Sequence, residues 1–440
     1  MKTLKQTDPQ IAKLIDLEDK RQRDVLEMIP SENYASAAVR EALGSILTNK
    51  YSEGYANKRY YQGNRFVDEI ELTAVERTKK LFGVPHANVQ PYSGSPANAA
   101  VYFALLAPGD KIMGLKLSGG GHLTHGHPNV TFSGKYFTSA QFDVEQDGWI
   151  DMDKVAALAK IEKPKMMAIG TTAYPRVLEW AKWKAIADSV GAFLLADISH
   201  VAGMVAVGAY PTPVAYVDVV MFTTHKTMRG PRGAVLLVTD QGLQKDADMG
   251  KKIDRAIFPG LQGGPHDNVS AAIAVCMKEA ATPAFKKYGH QIVKNAKALA
   301  AGLTAKGLTL TTGGTDSHLI VIDLRKEKVI GNIVAEALEV ANIVANYNTV
   351  PHDTNPPMYP SGVRLGTPIL TTRGMKEEDM KTISAWIYEV VCEVSHYRLP
   401  EAKEERSAFV KQVKVELWKN KNLLRIGREV KLFARKFPVP

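Results

Sequence analysis

Short apolar runs recur along this chain, separated by longer stretches in which apolar residues return at helical spacing. The runs are KIMGL (111–115), PKMMAIG (164–170), AFLLAD (192–197), VDVVMFTT (217–224) and GAVLLVTD (233–240), with helical stretches between them from about Asp68 onward. Apolar strands alternating with helices predict a mainly parallel sheet with helices on both faces. Ligands of such sheets bind beyond the carboxyl ends of the strands. Polar residues capable of chemistry stand at two of those ends: Asp197 and His200 after AFLLAD, and His225 and Lys226 after VVMFTT.

Before this pattern, residues 10 to 28 read as a helix of mixed charge that stops ahead of Pro30, and Ser31 to Tyr61 form a polar, aromatic segment with little period. Beyond it, about 268 to 303 reads as one long helix bridging two domains. A second pattern follows, with HLIVIDL (318–324) as a strand, IVAEALEVANI (333–343) as a helix and a C-terminal helix from about Lys376. The expected organisation is an arm over 1–50, a large domain over 51–282 and a smaller α/β domain over 283–440. No internal repeat or low-complexity segment interrupts it.

Composition changes this picture little. Of the 440 residues, 45% are hydrophobic and 23% charged, which is ordinary for a globular chain. No run approaches the roughly 20 apolar residues of a membrane helix. The charged opening, MKTLKQTDPQIAKLIDLEDKRQRD, has no apolar core, so neither a secretory signal nor a transit peptide is expected. Cys276 and Cys392 offer neither a disulfide framework nor metal spacing, which suits a reducing compartment and a cytoplasmic protein. The net charge of +10 raises the question of nucleic acid. Much of the excess lies late, in Lys411, Lys414, Lys419, Lys421, Arg425, Arg428, Lys431, Arg435 and Lys436, with Val413, Leu417, Leu424 and Leu432 interleaved. That spacing predicts an amphipathic element with a solvated basic face. No nucleic-acid motif accompanies it, so no nucleic-acid partner is expected.

The strongest local pattern is TTHKTMRGPRG (223–233). A lysine directly after a buried strand, in a Gly-rich turn, is placed where its amine can meet a carbonyl cofactor. Low dielectric and nearby cations favour the unprotonated amine that such chemistry needs. His225, Arg229 and Arg232 supply polarity and the threonines hydrogen bonds, although a surface lysine in a turn has the same local sequence. Pyridoxal phosphate would also need a phosphate cradle, an acid opposite its pyridine nitrogen and a flat group over its ring. PYSGSPANAA (91–100) offers a Ser-Gly-Ser turn opening a helix, Asp197 ends a strand, and His122 stands in SGGGHLTHG (118–126). The histidines of HLTH raise a zinc site, but no HExxH glutamate is present and the glycines oppose a helix, so no metal is expected.

Together these segments closely resemble the serine hydroxymethyltransferase family of fold-type-I pyridoxal-phosphate enzymes. The resemblance rests on IPSENYAS (29–36), KYSEGYANKRYYQGN (50–64), SGSPAN (93–98), GGHLTHG (120–126), FSGK (132–135), ADISHVAG (196–203), TTHKTMRGPRG (223–233), FPGLQGGP (258–265), GTDSHL (314–319), NTVP (348–351) and SGVRLGTP (361–368), in family order over about residues 20 to 380. It implies a large domain built on a mainly parallel seven-stranded sheet, a smaller C-terminal α/β domain, and two reactants besides the cofactor, serine (or glycine) and tetrahydrofolate.

It also implies roles. Lys226 is the lysine that bonds the cofactor, Asp197 pairs with the pyridine nitrogen, His200 lies near the 3′ oxygen and His122 stacks on the ring. Ser93, Gly94 and Ser95 form the phosphate loop, Thr172, Thr223 and His225 lie near the cofactor, and Gly263 and Gly264 reach the phosphate from the neighbouring subunit. Arg364 binds the amino-acid carboxylate, a task suited to a bidentate guanidinium, and Ser31 adds a second contact. Glu53 is the acid–base residue, and Tyr51 and Tyr61 line the same pocket. In the family these three come from the partner subunit, so the resemblance implies an obligate homodimer, with a tetramer left open. Folate contacts fall on Glu53, Tyr60, Leu117, Gly121, Leu123 and Asn348.

The chain departs from the commonest family pattern in several places. Pro96 stands where glutamine is usual, Pro30 replaces alanine, Gln62 and Asn64 alter the segment after the tyrosines, and Tyr347 replaces a lysine before Asn348. These changes leave the cofactor chemistry intact and bear on the carbon acceptor, folate or another pterin. The rival reading is a pyridoxal-phosphate aldolase that cleaves threonine-like β-hydroxy amino acids without a pterin. It would keep Lys226, Asp197 and Arg364 but would not need Glu53, Asn348 and the tyrosine pair.

Overall fold

A computed structural model describes residues 2–440, which fall into two compact units, residues 35–293 and residues 2–34 with 294–440. The domain limits expected from sequence were 50/51 and 282/283.

In the unit of residues 35–293, seven strands form one sheet: β1 (His86–Asn88), β2 (Lys111–Leu115), β3 (Thr138–Phe142), β4 (Met166–Gly170), β5 (Phe193–Asp197), β6 (Val219–Thr223) and β7 (Ala234–Val238). Their order is β1-β7-β6-β5-β4-β2-β3. β2 to β6 pair in parallel, and β7 runs antiparallel to β6 and β1. All five residues of β4, β6 and β7 are buried, which is why each reads as a continuous apolar run. Successive residues enter opposite cores. Ile112, Met166, Leu195 and Val219 pack on one face, and Met113, Met167, Leu194 and Val220 on the other.

The five apolar runs all became strands. The two outermost strands were not among them: β1 is three residues long, and β3, TSAQF, is an edge strand of mixed burial. The helices of this unit include α2 (Arg65–Phe82), α3 (Gly94–Leu105) and α4 (Asp267–Ala280).

Two helical expectations need correction. The N-terminal helix α1 (Pro9–Asp24) is capped by Asp8, which accepts from Ile11 N at 3.0 Å, and it ends earlier than residue 28. Leu26 and Met28 are buried instead, because Leu26–Glu27 pairs in parallel with Ile343–Val344. The single helix over 268–303 is two, α4 and α5 (Pro283–Ala305). The break falls before Pro283, which has no N–H to continue α4, and the Thr282 hydroxyl accepts from Phe285 N at 3.2 Å.

In the C-terminal segment a helix begins at Glu377, where one was expected from about Lys376. In the unit of residues 2–34 and 294–440, a four-stranded antiparallel sheet, β8 (Thr309–Leu310), β9 (Leu319–Asp323), β10 (Asn346–Asn348) and β11 (Gly362–Gly366), is ordered β8-β9-β11-β10. It packs with α6 (Gly331–Val340) and α7 (Glu377–Val394) around one apolar core. Two further helices follow, α8 (Lys403–Leu417) and α9 (Lys421–Ala434). Leu423, Ile426, Val430 and Ala434 face the core, while Leu424 and Leu432 are 36% and 67% exposed. Several of the late cations are paired: Lys414 with Glu336 at 3.0 Å, Arg425 with Glu429 at 2.7 Å, and Lys431 and Arg435 with Asp24 at 3.0 and 2.6 Å. The basic face is therefore partly neutralised within the fold. No helix among the described residues is long and apolar enough to cross a membrane.

Candidate active site

The carboxyl ends of β5 and β6 carry the two residues on which the cofactor reading depends. Asp197 closes β5, and its side chain is 8% exposed. Its Oδ2 accepts from His125 Nε2 at 3.0 Å and Asn98 Nδ2 at 3.1 Å, and its Oδ1 accepts from Ser199 N at 3.0 Å. Burial pushes the Asp197 carboxyl up, but the hydrogen bond and charge of His125, with the Ser199 bond, prevail and hold its pKa well below the carboxylate range.

Glycines on neighbouring strands make room for this arrangement. A Cβ on Gly170 of β4 would lie 2.4 Å from Asp197 O and 3.0 Å from His125 Cε1. One on Gly114 of β2 would lie 2.3 Å from His125 O.

His122 joins the same network. A turn closed by His125 N to His122 O at 3.0 Å brings the two rings to a centroid separation of 5.5 Å. His122 Nδ1 bonds Thr124 Oγ1 at 2.7 Å, and Asn98 Nδ2 donates to that hydroxyl at 2.8 Å. A chain of polar contacts thus runs from His122 through Thr124 and Asn98 to Asp197. Burial first, then the charges of His125 and Lys226, push the His122 pKa down to about 4, so its ring is neutral near pH 7. His122, His125 and Asp197 together offer three ligand-type atoms within 4.8 Å of one another. Within this group His125 Nε2 is hydrogen-bonded to Asp197 Oδ2, and His122 Nδ1 to Thr124 Oγ1.

Lys226 follows β6, and its Nζ donates to Thr223 Oγ1 at 2.7 Å. The loops after β5 and β6 are stitched together: Thr223 N donates to Ser199 Oγ at 3.1 Å and Thr227 Oγ1 to His200 O at 3.1 Å. His200 is 6% exposed. Burial, Lys226 and Arg232 push the His225 pKa down to about 3. Arg229 lies 4.5 Å from the centroid of the Tyr288 ring, in a cation–π contact, rather than serving only as a source of polarity beside the lysine.

The Ser93-Gly94-Ser95 turn opens α3, with Ser93 at its N-cap and both serines exposed. Gly94 approaches Thr223 so closely that a Cβ would lie 2.8 Å from Thr223 Cγ2. Pro96 occupies the first turn of this helix, where a missing N–H is tolerated. Thr172 N and Oγ1 donate to Gly120 O at 2.7 Å and Gly121 O at 2.9 Å, tying the loop after β4 to the one after β2. Leu117 and Leu123 beside them are 41% and 39% exposed.

A second group gathers around the segment from Tyr51 to Tyr61. The Tyr51 hydroxyl lies 3.4 Å from Glu53 Oε1, and the Tyr51 and Tyr61 rings stand edge to face at 5.0 Å. Gly263 and Gly264 adjoin them: Cβ atoms there would lie 3.3 Å from Glu53 Oε1 and 3.5 Å from Tyr51 Cε1. Tyr51, Tyr60 and Tyr61 are 55%, 72% and 45% exposed, and Tyr60 packs edge-on to Phe258 at 5.6 Å.

The remaining expected residues belong to the other unit. Arg364, on β11, donates from Nε to Asn346 Oδ1 at 3.2 Å, and burial pushes its pKa down to about 10, which leaves it charged at neutral pH. Asn348 pairs with Gly362 in the same sheet, and Ser31 is half-buried.

Sequence reasoning considered His125 only as half of a zinc pair with His122, and did not single out Asn98, Thr124 or Ser199. All stand inside motifs that had been noticed, GGHLTHG, SGSPAN and ADISHVAG. Their contacts cross from loop to strand to helix, so no one segment displays them.

The donor set suits pyridoxal phosphate: an amine on a short tether, a buried carboxylate held ionised, a neutral imidazole beside it, and a helix start lined by hydroxyls. Gly94 fits the same purpose, since only a residue without a Cβ lets the turn lie against Thr223.

A family model described as "Serine hydroxymethyltransferase" matches residues 4–387. Curated proteins of that name are similar over most of this chain. One from Acidothermus cellulolyticus is 51% identical over 435 residues, covering 99% of this chain and 96% of that protein. One from Sorangium cellulosum is 53% identical over 396 residues, covering 90% and 92%. One from Desulfotalea psychrophila is 51% identical over 391 residues, covering 89% and 90%.

Proposed function

This chain belongs to the serine hydroxymethyltransferase family, and we propose that it reversibly transfers the hydroxymethyl carbon of serine to tetrahydrofolate, giving glycine and 5,10-methylenetetrahydrofolate. The observation that carries this reading is the grouping of Lys226, Asp197 and His122 at the carboxyl ends of β5 and β6 and in the loop beside them.

Pyridoxal phosphate, when bound, supplies an aldehyde for the amino group and a ring that takes up the electrons of the breaking Cα–Cβ bond. Lys226 offers the amine that holds it. Asp197, kept ionised by its donors, keeps a proton on the pyridine nitrogen. His122, neutral near pH 7, would lie beside the cofactor without adding charge. The hydroxyls and amides of Ser93, Gly94 and Ser95, with Gly263 and Gly264, bind the phosphate, and Thr172, Thr223, His200 and His225 surround the cofactor. Arg364 and Ser31 would hold the carboxylate of the amino acid and so orient it for reaction, a proximity and orientation effect. Glu53 moves the proton as the carbon passes to the pterin, and Tyr51 and Tyr61 line that pocket. Tyr60, Leu117, Gly121, Leu123 and Asn348 bind the pterin.

The protein acts in the cytoplasm as a homodimer with shared sites. The exposure of Tyr51, Tyr60 and Tyr61 and their grouping with Glu53, Gly263 and Gly264 supports a set of residues offered to a second copy. The large domain is taken as 51–282 and the small one as 283–440, after an N-terminal arm.

The reading is tested by the absorption spectrum of the purified protein with pyridoxal phosphate, with glycine added, and then with glycine and tetrahydrofolate together. A visible cofactor band that moves to longer wavelength only when the pterin joins glycine is expected. A response to glycine that the pterin leaves unchanged contradicts the transfer reaction and favours a pterin-independent aldolase.

A further inference from the structure

Glu53 has little of its own to hold it in place. Among the described residues its carboxylate takes one long bond, from the Tyr51 hydroxyl at 3.4 Å. The direction of the side chain is therefore set by its backbone, and that backbone is gripped by Arg59. The Arg59 side chain is 3% exposed. Its Nη1 donates to Ser52 O and to Gly54 O, both at 2.8 Å, the carbonyls on either side of Glu53.

The rest of the guanidinium is anchored in α2. Nε donates to Asp68 Oδ1 at 2.8 Å, and Nη2 stands 3.0 Å from Glu71 Oε2. Gln90 adds a second grip, donating from Nε2 to Gly54 O at 3.0 Å and to Glu71 Oε2 at 2.7 Å. The turn itself admits few alternatives. Gly54 has φ +99°, a Cβ there would lie 2.4 Å from Lys58 O, and Tyr60 N donates to Glu53 O at 3.0 Å. A planar fork can span two carbonyls and a carboxylate at once, whereas a lysine ammonium is a single point of charge.

We propose that Arg59 is the positioning residue that aims Glu53, acting through the carbonyls of Ser52 and Gly54. This role rests on the transfer reaction proposed above.

The test compares wild type, Arg59→Lys, Glu53→Gln and the double variant in serine-to-tetrahydrofolate transfer, alongside amide hydrogen exchange of residues 52–60. Arg59→Lys keeps a charge against Asp68 and Glu71 but cannot span both carbonyls. Its kcat is expected to fall about 100-fold, the scale for misplacing an acid–base group by about 1 Å. Its KM for serine stays within about threefold, because the loss falls on the transition state rather than on binding. The double variant is no slower than Glu53→Gln alone, since Arg59 acts only through Glu53. Exchange at Gly54 to Arg59 quickens with or without the cofactor, while the sheet is unchanged.

Wild-type kcat in Arg59→Lys, or losses that multiply in the double variant, overturn the role. If Arg59→Lys fails to fold, Gln90→Met serves: it removes the second donor to Gly54 O and is expected to lower kcat several-fold with the same unchanged KM, and no loss overturns the role. A wild type that transfers nothing overturns the proposed function itself and this role with it. An active wild type matched by Arg59→Lys overturns the role alone.

Discussion

Replacing His125 tests whether Asp197 is held ionised by its neighbours or merely sits near them. The imidazole is 1% exposed and bonds Asp197 Oδ2 at 3.0 Å. In His125→Ala this charge-assisted bond disappears, worth about 1.5–3 kcal/mol, while the bonds from Asn98 and Ser199 remain. The void between Gly114 and Gly170 adds a packing loss, so the fold should weaken by roughly 2–4 kcal/mol in denaturant titrations.

The sign of the pH effect follows from the same contact. The folded pKa of Asp197 lies below its ordinary 3.8, so its stabilising contribution is complete above 3.8 and is lost as pH falls through the folded value. Without His125 the folded value rises and less of that contribution exists to lose. Asp197 also loses the partner that fixes the position of its Oδ2, so it is less well placed to hold a pyridine proton, and the Kd for pyridoxal phosphate should rise by about 10- to 100-fold, or about 1.4–3 kcal/mol. His125→Gln, which retains a donor, should recover part of both losses. Equilibrium binding of the cofactor near pH 7.5, with unfolding midpoints of both variants, reads the result. A His125→Ala protein with wild-type stability and cofactor affinity would refute the reasoning.

Three further outcomes are expected. His122 and His225 are held neutral, with pKa values pushed to about 4 and about 3. The unfolded chain therefore binds more protons between pH 6.5 and about 4, and stability should fall on acidification across that window by at most about 1.4 kcal/mol per unit for each histidine. Phe substitutions at both positions should flatten the profile in denaturant midpoints, and an unchanged slope would count against the assignment. Gly170→Ala forces a Cβ to 2.4 Å from Asp197 O, a paired-strand backbone atom that cannot move aside alone. A loss of about 1–3 kcal/mol in thermal unfolding, together with weaker cofactor binding, is expected. Arg364→Lys should raise the KM for serine about tenfold or more, with a smaller change in kcat, because an ammonium cannot hold a carboxylate bidentately; an unchanged KM in steady-state assays would remove Arg364 from the carboxylate site.

Where the sheet is buried on both faces, the sequence carried its strands plainly. Met166–Gly170, Val219–Thr223 and Ala234–Val238 are wholly buried and wholly legible. Thr138–Phe142 was not, because an edge strand with mixed burial has no such run. The helix over 10–28 was overextended because Leu26 and Met28 continue an apolar spacing whose burial is satisfied by strand pairing instead. At the site, Lys226 and Asp197 were visible because each directly follows or ends an apolar strand. The bonds of His125 and Asn98 to Asp197 were not, since they form across 72 and 99 positions of sequence. Arg59 is similar: only the folded turn shows that one side chain holds both neighbours of Glu53.

The central claim is transfer of a carbon from serine to tetrahydrofolate through Lys226, and label transfer tests it most directly. Serine labelled at Cβ would be incubated with tetrahydrofolate and pyridoxal phosphate, using the purified protein and its Lys226→Ala variant. Label passing into methylenetetrahydrofolate with equimolar glycine, and none with Lys226→Ala, is the predicted result. Glycine formed without labelled folate, or equal transfer by the variant, would contradict it.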